Sequence, residues 1–130
     1  MKHILLVDDE PDLRSVVRQF LEFSGYEVVE AGDGAGALAL ARARKPDIVL
    51  TDLLMPQKDG LDFCRELRKD PELFDVPVLF VTARNTDAAL RAEMDLIGDG
   101  LVVKPFEPDL LLKIINSLLL GKERTSCSPP

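Results

Sequence analysis

Ile4-Leu5-Leu6-Val7-Asp8-Asp9-Glu10-Pro11-Asp12-Leu13-Arg14-Ser15-Val16-Val17-Arg18-Gln19-Phe20-Leu21 changes its apolar period at Pro11. Its first four residues are an unbroken apolar run, as expected of a strand buried on both faces. Beyond Pro11, Leu13, Val16, Val17, Phe20 and Leu21 recur at helical spacing. Pro11 suits the first helical position, where its missing N–H is no loss, and Gly25 supplies a stop. The stretch therefore reads strand, acidic turn, helix.

The same alternation runs down the chain. Residues 26–29, 47–52, 77–82 and 101–103 read as further strands. An Ala-rich helix is expected over 35–44, another over 61–68, a weaker one over 87–96, and a last one from Pro108 to about Leu120. Five strands alternating with five helices argue for an α/β fold with a parallel sheet, and right-handed crossovers leave few topologies. There is no internal repeat. Residues 1–120 form one domain of ordinary size. Residues 121–130 lack apolar periodicity and end Ser-Pro-Pro, which fits either a disordered tail or a linker to an output domain.

Composition narrows the function classes. The 130 residues are 46% hydrophobic and 30% charged, as in a soluble globular protein. Net charge is −7 and no Lys/Arg block is present, so direct nucleic-acid binding by this chain is not expected. Cys64 falls in an apolar helical pattern and reads as a reduced core thiol, whereas Cys127 lies in the polar tail; their separation is no metal-ligand spacing. With no amino-terminal signal pattern and no apolar run of membrane-spanning length, the expected compartment is a reducing cytoplasm, with no membrane association.

Four short signatures each fall where an apolar run ends. They are Asp8-Asp9, Asp52, Thr82 and Lys104-Pro105. In a parallel sheet those ends share one edge, where open α/β folds place their ligands. Each alone has an ordinary reading. Acidic residues favour helix starts, threonine favours strands, and a lysine ending a buried strand snorkels to solvent. Together they are harder to explain so, because gathered carboxylates repel and need a cation or a proton to persist. A hard divalent cation such as Mg2+ meets that need through oxygen ligands. Lys104 would then reach Asp52 or a phosphoryl oxygen, the Thr82 hydroxyl would bond a phosphorylated carboxylate, and a cis Pro105 would aim Lys104 inward.

The segments Ile4 to Glu10, Asp47 to Gly60 (DIVLTDLLMPQKDG), Val81-Thr82-Ala83 and Val103-Lys104-Pro105-Phe106 resemble the receiver domain of bacterial two-component response regulators. The resemblance spans residues 1 to about 120 and implies a flavodoxin-like, doubly wound sheet of order 2-1-3-4-5 with five helices. It implies that Asp52 is the phosphoacceptor, receiving its phosphoryl group from a histidine kinase or phosphotransfer protein. By the same match Asp9, Asp52 and the Leu54 backbone carbonyl hold Mg2+, with Asp8 acting through water. Thr82 and Lys104 become the switch hydroxyl and the phosphoryl-binding lysine. Leu54 and Arg84, each two residues past a site residue, flank the path of attacking water and tune dephosphorylation. The output would be a downstream protein target or an output domain outside this chain.

Two departures stand out. Receivers usually carry an aromatic residue three positions before the lysine; here Leu101 stands there, either as core filling or as a switch without ring rotation. Ile97-Gly98-Asp99-Gly100 replaces the usual Gly-Ala pair and predicts a loosened entry to the fifth strand. In the last helix the apolar residues from Leu110 to Leu119 fill an arc of roughly 200° at 100° per residue. A surface helix needs about 100° facing its core. Leu112 and Leu119 therefore read as surplus, a surface for a homodimer or another partner, with a wide buried face as the alternative. The expected function is a phosphorylation-controlled switch, not a turnover enzyme, its chemistry limited to self-phosphorylation and autodephosphorylation. A phosphohydrolase reading lacks an Asp-x-Asp pair and a substrate cap, and a scaffold reading conflicts with the intact acidic, Thr82 and Lys104 positions.

Overall fold

The computed structural model describes residues 2–52, 60–82, 100–103 and 107–127. In chain order the elements are β1 (His3–Val7), α1 (Pro11–Phe23), β2 (Glu27–Ala31), α2 (Gly34–Ala43), β3 (Ile48–Asp52), α3 (Gly60–Lys69), β4 (Val78–Thr82), β5 (Gly100–Val103) and α4 (Pro108–Cys127). The five strands form one sheet of order β2-β1-β3-β4-β5, and every neighbouring pair is parallel. Four helices lie among the described residues; the helix expected over 87–96 falls outside them.

The continuous apolar runs are explained by the two layers they serve. Leu5, Val7, Val49, Val78 and Phe80 point to one face, where they pack with Ala37, Leu38 and Ala41 of α2 and Phe63, Cys64 and Leu67 of α3. Ile4, Leu6, Ile48, Leu50 and Leu79 point to the other, against Leu21 of α1 and Leu111, Ile115 and Leu119 of α4. Successive strand residues thus enter different cores, so neither parity can be polar. Cys64 is buried and forms no disulfide. Leu101 lies opposite Phe80 and packs partly buried on the α2–α3 side.

Local signals set the element ends. Gly25 takes φ of 100°, the left-handed conformation that costs a glycine little. Its N–H bonds Glu22 O at 3.0 Å and the Tyr26 N–H bonds Leu21 O at 3.1 Å, the paired bonds of a Schellman stop. Asp33 opens α2 by accepting the Gly36 N–H at 2.7 Å. Between α3 and β4, Arg68 ties the turn by donating to the Phe74 and Val76 carbonyls at 2.9 and 2.7 Å.

Two expectations change at the carboxyl end. The last helix continues through Cys127 and does not stop near Leu120. Gly121 costs about 1 kcal/mol within a helix, and the Lys122-Glu123-Arg124 that follow are good helix formers. Nor are Leu112 and Leu119 surplus to the core. Leu119 is 7% exposed and belongs to the core cluster, and Leu112, Ile114 and Leu118 pack against it partly buried. The wide arc is filled because α4 faces both the sheet and the α1–β2 region, where the Tyr26 hydroxyl donates to Asn116 Oδ1. The exposed leucines of this helix are Leu110 and Leu120. Of the Ile97-Gly98-Asp99-Gly100 entry to β5 only Gly100 lies among the described residues, and there a Cβ would stand 3.0 Å from Leu79 Cδ1 and 3.5 Å from Leu118 Cδ1, so the strand itself begins in close packing.

Candidate functional site

β1 and β3 are neighbours whose register pairs Val7 with Thr51, so Asp8 and Asp52 leave the sheet side by side. Asp9 follows in the turn before α1. Each of Asp8, Asp9 and Asp52 offers a carboxylate oxygen, and these atoms lie within 4.8 Å of one another. Among the described residues this is the only such group of three or more His, Cys, Asp or Glu side chains. Asp8 is buried, Asp52 partly buried and Asp9 exposed, so the cluster is a shallow well opening to solvent.

The buried member is held firmly. Asp8 Oδ1 accepts the Glu10 N–H at 2.9 Å, its own N–H donates to Ala31 O at 3.1 Å, and its carbonyl accepts from Arg14 Nη1 at 2.7 Å. Behind Asp52, the buried Thr51 hydroxyl donates to the Asp52 carbonyl at 2.9 Å. A cavity of about 20 Å3 lies beneath, bounded by Asp8, Thr51 and Asp52 above and Leu13, Val17 and Leu111 below. That is room for about one water. The donor set is all carboxylate, without nitrogen or sulfur, which suits a hard cation and not a zinc-type ion.

Thr82 ends β4 beside β3, where Val81 pairs with Asp52, and Val103 at the end of β5 pairs with Thr82. The backbone thus carries the signature positions of β1, β3 and β4 to one edge, as the sequence implied. Lys104 is the residue after β5; it lies outside the described residues, as do Pro105, Leu54 and Arg84. Sequence reasoning passed over Arg14 and Glu30. A signal existed for Arg14, since a cation in the first turn of a helix opposes the helix dipole and calls for a specific partner.

The opposite end of the sheet carries different chemistry. His3 is 5% exposed, with Nδ1 unpartnered, while its backbone N–H donates to Asp47 Oδ2 at 2.7 Å. Burial, and then the nearby Arg44 guanidinium, hold the imidazole pKa below its ordinary value. Arg44 itself makes a two-pronged bond with Glu27 at 2.8 and 2.6 Å on the surface.

The family model described as the response regulator receiver domain matches residues 4–116. The chain belongs to that family. The receiver is 40% identical over 127 residues to the probable transcriptional regulator ycf27 of Cyanophora paradoxa, covering 98% of this chain and 52% of the relative. It is 37% identical over 122 residues to the alkaline phosphatase synthesis transcriptional regulatory protein PhoP of Bacillus subtilis, covering 94% and 50%. It thus spans about half the length of the curated relatives it matches. Among solved structures, the chemotaxis protein CheY4 of Vibrio cholerae superposes with TM-score 0.83 at 32% identity, covering 91% of this receiver and 98% of that chain. The receiver domain of a signal transduction histidine kinase from Syntrophus aciditrophicus gives TM-score 0.88 at 28% identity, covering 100% and 98%. No helix among the described residues is long and apolar enough to cross a membrane.

Proposed function

We propose that this receiver is a phosphorylation-controlled switch in which Asp52 accepts a phosphoryl group from a histidine kinase or phosphotransfer protein. The observation that carries the reading is the convergence of Asp8, Asp9 and Asp52 at the ends of two adjacent strands. A carboxylate oxygen of Asp52 attacks phosphorus as the phosphorus–nitrogen bond to the donor imidazole breaks, leaving an acyl phosphate and a neutral imidazole. Asp9, Asp52 and the Leu54 carbonyl would hold Mg2+, with Asp8 acting through water. The ion would supply charge neutralisation for the transferring group. The Arg14 and Thr51 bonds orient the backbone of Asp8 and Asp52 so that their oxygens face one another. In the proposal Lys104 adds a second cation, and Thr82 bonds the acyl phosphate.

The added charge and acceptor oxygens then reorganise the edge of the sheet. Leu101 in place of an aromatic residue gives a switch without ring rotation, and Leu54 and Arg84 govern access of water and hence the lifetime. The chain's own chemistry stops at gaining and losing that group. Relatives twice as long, bearing the names of transcriptional regulators, support an output domain or partner outside this chain. The buried Cys64, in no disulfide, suits a reducing cytoplasm.

Incubation with a small acyl phosphate and Mg2+, followed by intact mass, tests the reading. The wild-type chain and Asp75→Asn gain one phosphoryl group, and Asp52→Asn gains none. Stoichiometric labelling of Asp52→Asn would sink the assignment; steady turnover of the acyl phosphate without an accumulated adduct would point to a hydrolase.

A further inference from the structure

Arg14 projects from the first turn of α1, where the helix dipole disfavours a cation. Its place is explained by two acceptors taken at once. Nη1 donates to the Asp8 carbonyl at 2.7 Å and Nε donates to Glu30 Oε1 at 3.1 Å. Both side chains are largely covered, at 21% and 24% exposure. Glu30 is gripped a second time, by Arg18 Nη1 at 2.7 Å. Gly32 leaves the space the guanidinium uses: a Cβ there would stand 3.2 Å from Arg14 Nη1. The Asp8 N–H meanwhile bonds Ala31 O, so both peptide groups of Asp8 are anchored towards β2 and α1.

We infer that Arg14, braced by Glu30, is a positioning residue for the acidic site, a clamp that fixes the Asp8–Asp9 backbone against carboxylate repulsion and so sets Mg2+ affinity. The inference rests on the Mg2+ reading of the site. In this clamp Arg14 acts through the peptide carbonyl between Asp8 and Asp9. Three like charges within 4.8 Å push that turn outward when no cation is bound. A planar fork holding carbonyl and carboxylate together resists the push in a way that the single ammonium of lysine does not reproduce. Glu30 also offsets the charge of Arg14, limiting its competition with a cation at the well. Its position two residues ahead of Gly32 links the edge strand β2 directly to the site.

The test uses the full chain. Arg14→Lys keeps the charge and loses the fork, Glu30→Gln keeps the fork and loses its brace, and Arg18→Lys serves as a control whose bonds run to Glu30 and Glu22 and not to the Asp8 carbonyl. Titration calorimetry with Mg2+ should show affinity reduced by roughly tenfold in Arg14→Lys and by several-fold in Glu30→Gln, the scale of lost outer-shell partners. The double variant should lose little more than Arg14→Lys, because both act through one bond network. In metal-free protein, amide hydrogen exchange at Asp9 and Glu10 should accelerate in both single variants and stay unchanged in Arg18→Lys. Mg2+ affinity within twofold of wild type together with unchanged exchange would overturn the clamp, even if thermal stability fell. If wild type bound no Mg2+, the metal reading would fail, and the metal-free exchange would still decide whether Arg14 fixes the turn.

Discussion

Replacing Asp9 with alanine should make the protein more stable without Mg2+ and less stable with it. Two unit charges 4.8 Å apart repel by about 0.9 kcal/mol in a water-like dielectric and about 3.5 kcal/mol at an effective dielectric near 20. Asp9 is exposed, so the smaller figure applies. Its removal deletes two of the three pairs, worth about 1.7 kcal/mol before screening and about 1 kcal/mol at physiological salt. In excess chelator the variant should therefore melt roughly 3–5 °C above wild type. Saturating cation reverses the order. At a hundred times its dissociation constant, Mg2+ adds about 2.7 kcal/mol to wild type, whereas a variant with about hundredfold weaker binding gains only about 0.4 kcal/mol. Melting curves collected from chelator to high Mg2+ should cross. A variant no more stable than wild type in chelator would show that no repulsion is stored there. Curves that never cross would remove Asp9 from the ligand set.

Two further outcomes follow from burial. His3 has its pKa lowered by burial and by Arg44, so the folded state favours the neutral ring. The associated stability is complete above the unfolded value of about 6.5 and is lost as pH falls through the lower folded value. His3→Gln should flatten the acid limb of a stability–pH curve; an unchanged slope would clear His3 of that role. Leu119→Ala should cost about 2–4 kcal/mol in urea unfolding, as for other buried leucines, while Leu110→Ala, at a site 48% exposed, costs under about 1 kcal/mol. A loss below about 1 kcal/mol at Leu119 would return it to the surface.

How far each feature could be read depended on the kind of physics that sets it. The strand–turn–helix at Ile4 to Leu21 was legible because its period changes within one contiguous segment. Asp8, Asp9 and Asp52 were legible because strand ends in a parallel sheet must share an edge. Which core each strand residue enters was not, since an unbroken run such as Ile4 to Val7 carries no polar marker of parity. Leu119 was misplaced for a related reason. Helical period tells which residues share a face, but not how many elements that face meets, and Tyr26 and Asn116 bring α4 against a second neighbour. The length of α4 was underestimated because residues 121–127 carry no apolar periodicity, a pattern that reports burial of a face and not helix formation, while the cost of Gly121 is modest beside a helix already under way. Arg14 and Glu30 stand 16 residues apart on different elements, and only folding reveals that they meet.

The carboxylates of this receiver follow β1 and end β3, two adjacent interior strands that each carry a ladder on either side. Separating Asp8 from Asp52 means breaking the β1–β3 ladder, and that ladder lies between both cores. The site therefore has no melting transition of its own. The backbone amides of Asp8 and Asp52 should exchange with the slowest class in the protein, in the same cooperative event that exposes Leu50 and Phe80, whereas those of Asp9 and Glu10 report the turn alone. A chelator dissolves the ligand without softening the frame, so the empty well keeps the form in which the next cation finds it.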